Sequence, residues 1–202
     1  MAISHAVAGD FANEREMHVA RLAVAREHGD VARTADALAT LAEVALDEAD
    51  SAGARSFAEE SLAIAEPTLP MEACVALAVL ARADVVEGDL SSAVTTLRRA
   101  FASAEKIGQR LMLAQCYRVA GAIAAARGSA AEAVRLYAAA QRLSPSPSGT
   151  DDPVEADLLG GLETARSGLA RDVVEREWTL GTSLPTARVR ALLGEVVAAV
   201  PV

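Results

Sequence analysis

The strongest constraint on how this chain can fold is a recurrence. A small residue followed by a polar one stands at Gly9-Asp10, Ala49-Asp50, Gly88-Asp89 and Gly128-Ser129, and Gly168-Leu169 repeats it with leucine in the polar place. Subtracting successive positions gives intervals of 40, 39, 40 and 40 residues, a period that marks an array of stacked units. Glycine, the small residue at every pair but Ala49-Asp50, tolerates the left-handed conformation that ends a helix. The Asp or Ser after it can accept bonds from the free N–H groups of the next helix. The unit is therefore a helical hairpin. A second set of breaks lies between these pairs, at His28-Gly29-Asp30, Pro67 to Pro70, Gly108-Gln109 and the loop from Ser144 to Pro153. Each unit thus contains two helices.

The apolar pattern agrees. Ala93, Leu97 and Ala100 follow Asp89, and Ala133, Tyr137 and Ala140 follow Ser129, each set falling on one helical face. Neighbouring units echo each other in LAVARE (Leu22 to Glu27), LAIAEP (Leu62 to Pro67) and FASAEK (Phe101 to Lys106). Seven residues before each turn stands another small residue, Ala42, Ala81, Gly121 or Gly161, where two helices can approach closely. The chain is 52% hydrophobic but only 3% aromatic. Much of the hydrophobic share is alanine, which favours helices and their close packing. The predicted fold is all-α.

The order small residue, Gly-Asp, alanine, large apolar residue, alanine resembles the tetratricopeptide repeat. The segment from Tyr117 to Ala140 matches best, through Tyr117, Gly121, Gly128, Ala133, Tyr137 and Ala140. The period exceeds the usual one of about 34 residues, and the first unit fits poorly at Glu14 and His18. The resemblance implies about ten helices, stacked as antiparallel hairpins into a right-handed superhelix. Expected boundaries are a partial unit at 1–10, units at 11–50, 51–89, 90–128 and 129–168, and C-terminal capping helices over 169–202.

A solenoid leaves an apolar face bare at each end, so a terminal element must cover it. Ala170 to Gly181 reads as one helix with Val173, Val174 and Trp178 turned inward, followed by a Gly181-Thr182-Ser183 turn. Pro185 to Val200 reads as a last helix opened by its proline. Trp178, the single tryptophan, is expected to be a structural plug in this cap. The stretch from Leu162 to Val197 also resembles the end of the repeat domain in large actinobacterial regulators, namely LuxR-type and SARP-type transcription factors and STAND-class ATPases. Trp178, Gly181 and Leu184 fit that pattern, and Thr182 and Pro185 to Arg188 depart from it. The opening eight residues read as the tail of a helix before Gly9-Asp10, as expected if the array begins mid-unit within a longer regulator; a short frayed segment is the alternative.

Charge and motifs limit the function. The net charge of −9 disfavours broad contact with nucleic acid or anionic lipid. No apolar run approaches the roughly 18 residues of a membrane span, and the start lacks a secretory pattern, so a cytoplasmic protein is expected. Cys74 and Cys116 read as buried, reduced thiols. The histidines His5, His18 and His28 read as surface residues, and the acidic pairs Glu59-Glu60 and Asp151-Asp152 as solvated charge or a helix start. No phosphate loop, dinucleotide fingerprint, H-E-x-x-H or C-x-x-C is present. The expectation is a protein that is not an enzyme and carries no metal or cofactor. No hairpin gathers arginine and lysine on its second helix as DNA recognition requires.

What remains is recognition. In tetratricopeptide arrays the first helix of each hairpin lines the concave face, and carrying those positions over selects Asp36, Glu43, Asp47, Arg82, Gln115 and Arg118. A groove acidic at one end and basic at the other suits an extended peptide or a partner helix. The resemblance implies a regulatory sensor domain for a protein, a peptide or a small inducer. A free-standing adaptor is the alternative. Self-association through the bare N-terminal edge is left open.

Overall fold

The computed structural model describes residues 3–144 and 160–198, and every regular element among them is a helix. In chain order these are α1 (Ile3–Glu27), α2 (Val31–Asp47), α3 (Ser51–Ala65), α4 (Pro70–Val86), α5 (Leu90–Ile107), α6 (Arg110–Ala126), α7 (Ala130–Leu143), α8 (Gly161–Ser167), α9 (Arg171–Ser183) and α10 (Thr186–Ala198). The loop expected up to Pro153, with Asp151-Asp152, lies outside the described residues from position 145 onward.

One turn is built four times. At Gly29-Asp30, Ala49-Asp50, Gly88-Asp89 and Gly128-Ser129 the small residue has φ between 62° and 80°. Its N–H reaches back to the carbonyl of Arg26, Leu46, Val85 or Ala125 at 2.9–3.1 Å. The polar residue's N–H reaches Ala25, Ala45, Asp84 or Ala124 at 2.8–2.9 Å. This paired closure satisfies the last carbonyls of one helix and delivers the chain at once to the next. Asp30, Asp50 and Asp89 then accept from the N–H three residues on, at 2.9–3.0 Å, whereas the Ser129 side chain makes no such bond.

The pair Gly9-Asp10 behaves otherwise, because α1 runs through it without a break. Continuing α1 through the pair keeps the backbone bonds at the modest cost of a mid-helix glycine. A second expectation also fails: Gly181-Thr182-Ser183 is the last turn of α9, not a loop. A Cβ at Gly181 would lie 2.5 Å from the Arg135 carbonyl oxygen and 2.6 Å from Ala138 Cβ, so this glycine lets α9 lie against α7.

The helices stack in two rows. The hairpins α2–α3, α4–α5 and α6–α7 pack most closely, α2 touches α4, α4 touches α6, and α8 continues that row beside α6. The odd-numbered helices α1, α3 and α5 contact one another little. A row whose members touch is the inner side of a curved stack, so α2, α4 and α6 form the inner face. The small residues expected at crossings are in place: Ala42 and Ala81 are fully buried, and a Cβ at Gly121 would come within 2.8 Å of the Tyr137 ring. The main core runs from Cys74 on α4 to Val197 on α10, with Tyr117 and Tyr137 among its fully buried side chains; α1 to α3 are held by smaller clusters.

The last two helices go different ways. Helix α9 packs on α7, while α10 folds back over α5, α6 and α7 and buries Val189, Leu192, Leu193, Val196 and Val197. Arg127 and Arg98 donate to the Val196 and Val197 carbonyls, satisfying backbone acceptors in the last described turn of α10. Trp178 is half-buried on α9 and packs against the main core.

Candidate functional site

The inner face is where the sequence-selected residues belong, and the structure divides them into two groups. Asp36, Glu43 and Asp47 lie along one stripe of α2. Asp36 sits about 16 Å along the helix from Asp47 by the usual rise per residue. Asp36 is exposed and accepts from Arg21 of α1 at 2.9 Å. Such an exposed pair contributes about 1 kcal/mol or less and reads as a tie between α1 and α2. Glu43 is half-buried.

The second group lies where α2, α4 and α6 meet. Arg82 of α4 is only 4% exposed, and its guanidinium reaches Asp47 at a long 3.4 Å. Protein packed around the Asp47 carboxylate pushes its pKa up, and the Arg82 charge only partly opposes this. Arg118 of α6 is half-buried and donates to the Ser144 carbonyl at 3.4 Å. Burial, and then the neighbouring charge of Arg82, lower its proton affinity. Two cations therefore lie within mutual range, and the Asp47 carboxylate meets Arg82 only at a long distance. Arg82 Nε, Arg118 Nε and Gln115 Oε1 are buried without a hydrogen-bond partner among the described residues. Buried polar groups are nearly always satisfied, and an orphaned donor on a charged group costs about 1–3 kcal/mol or more. This cluster costs stability that the stacking itself does not require.

Two buried carboxylates are well paired and hold the stack together. Asp84 of α4, 2% exposed, accepts from Arg55 at 2.7 Å, Ser92 at 2.8 Å and Thr96 at 3.3 Å. Glu177 of α9, 3% exposed, accepts from Arg135 and Arg176, and the Arg135 bond holds its carboxyl below the ordinary range. Neither carboxylate was selected from the sequence. A signal was present, since Arg15, Arg55 and Arg135 fall at multiples of the repeat period. Arg15 and Arg55 bridge to acidic residues on or just after the next helix, Glu48 and Asp84 with Glu87, and Arg135 reaches past α8 to Glu177 on α9.

The histidines divide. His28 is exposed, but His18, expected on the surface, is 6% exposed and meets Arg21 at 3.1 Å. It takes an inward position of α1 that the repeat pattern assigns to an apolar residue. Among the described residues no group of three or more His, Cys, Asp and Glu side chains could hold a metal ion, and no helix is long and apolar enough to cross a membrane. Cys74 and Cys116 are both buried and unbridged.

No protein-family model, curated protein or solved structure matches the chain. The reading of the site therefore rests on its geometry.

Proposed function

We propose that this chain is a non-catalytic recognition module whose inner face, built by α2, α4 and α6, holds a protein or peptide partner. The observation that carries this reading is the Arg82–Arg118 cluster: buried, incompletely bonded charge on the inner row of a helical stack, beside the acidic stripe of α2. The buried carboxylates Asp84 and Glu177 are engaged by arginines, whereas the Arg82 and Arg118 Nε atoms, like Arg127 Nη2, keep no partner among the described residues; the place of Arg82 and Arg118 together on the inner row suits a group that arrives from outside. The resemblance of residues Leu162 to Val197 to the ends of actinobacterial regulators supports a place in the cytoplasm, within a bacterial transcription regulator or signal-transduction ATPase. There the module would sense a partner for other domains. An adaptor that joins partner proteins through the same face is the second reading.

The test is a selection of random peptides on the folded domain. Binders should lose at least about tenfold in affinity, roughly 1.4 kcal/mol, for Arg118→Glu, and should be unaffected by Arg171→Glu on the exposed surface of α9. Peptides that bind the Arg118→Glu form equally well would place recognition elsewhere. A selection that enriches nothing would overturn peptide recognition altogether.

A further inference from the structure

The arginine cluster has a composition and a geometry that narrow what it can accept. Its two guanidinium groups come from different helices, Arg82 from α4 and Arg118 from α6. Each keeps an Nε–H without a partner among the described residues, and the Asp47 carboxylate stands at a long 3.4 Å from Arg82. A planar carboxylate is fully engaged by one guanidinium fork. Two forks from non-coplanar helices need a group with acceptor oxygens in several directions and enough charge to compensate both cations. A tetrahedral dianion meets both needs. The surroundings set its size. The net charge of −9 repels an extended polyanion such as a nucleic-acid backbone, which favours one compact group.

We infer that Arg82 and Arg118, with Gln115 beside them on α6, form a receptor for a single phosphoryl group of the phosphomonoester type. This rests on the reading of the inner face as the binding surface and adds the chemistry of what it recognises. Arg118, half-buried and held by one long bond to Ser144 O, turns toward the groove to engage the group. Arg82, almost fully buried, supplies the fixed charge beneath it. On binding, the two Nε–H donors gain acceptors and the repulsion between the guanidinium groups is relieved. Binding is thus coupled to the α4–α6 contact.

The experiment is an NMR titration of the arginine Nε–H resonances of the intact chain with inorganic phosphate, and with acetate at matched ionic strength. Phosphate is expected to shift the Arg82 and Arg118 signals saturably, to bind at least about tenfold more tightly than acetate, and to raise the melting midpoint by mass action. Arg118→Met should remove all three effects. No saturable shift of these two signals, or acetate binding as tightly as phosphate, would overturn the phosphoryl receptor. A response centred on exposed arginines such as Arg171 would do the same. A capped phosphoserine peptide in a parallel titration identifies the source: tighter binding than free phosphate places the group on a polypeptide, and equal binding places it on a small molecule. The selection with unmodified peptides reads the inner face independently, so the receptor can fail while that reading survives.

Discussion

Ala49 is the one non-glycine with positive φ among the described residues, at 62°. It closes the α2–α3 turn with the same pair of backbone bonds that Gly88 and Gly128 use in theirs. A Cβ in that conformation costs about 1–2 kcal/mol, part of which glycine returns through its greater freedom in the unfolded chain. Ala49→Gly should therefore stabilise the protein by about 0.5–1 kcal/mol, seen as a higher denaturant midpoint with an unchanged slope. Destabilisation by that substitution would mean that the turn is not closed this way. The glycine rule was legible in the sequence because a left-handed residue is a local backbone matter. Burial of His18 was not, because nothing local reports which neighbour will cover an imidazole.

At the scale of the elements, α9 shows how a helix face is misread when its most conspicuous residue is allowed to set the phase. Trp178 suggested a face with Val173 and Val174, but the buried residues are Val174, Glu177 and Gly181, with Trp178 at their margin. Gly181 sets the depth at which α9 lies on α7, and at that depth Glu177 meets Arg135. Because Arg135 and then Arg176 lower its folded pKa, the Glu177 carboxylate stabilises the fold above its ordinary value of 4.5. That contribution is lost as pH falls through the lowered folded value. Glu177→Gln should cost about 1–3 kcal/mol near neutral pH. The gap from the native chain in urea-melt stability should then narrow steadily below about pH 4.5. A gap that does not change with pH would show that the charge of Glu177 is irrelevant to the α7–α9 contact.

Across the whole molecule, stability should be unevenly distributed. The main core joins α4 through α10, whereas α1 to α3 rest on small separate clusters with exposed Met17, Val19 and Val24 at the outer edge. A stack of this kind is held by contacts between neighbours, and its ends open first. Native-state hydrogen exchange should find the highest protection in α4, α6 and α7 and the lowest in α1, with α2 and α3 between. Equal protection throughout would mean that the chain unfolds as a single unit. The sequence by itself determined the helical class and the turns at Gly29, Ala49, Gly88 and Gly128, because caps, glycine conformations and apolar spacing act within a few residues of each other. It also placed Arg82, Gln115 and Arg118 on one row. Only the tertiary structure decided which charges are satisfied. It engaged Asp84 and Glu177 fully, left Arg82 and Arg118 short of partners, and laid α10 back over α5 to α7, since solvation and pairing are settled by residues from neighbouring helices, often a full repeat away in the chain.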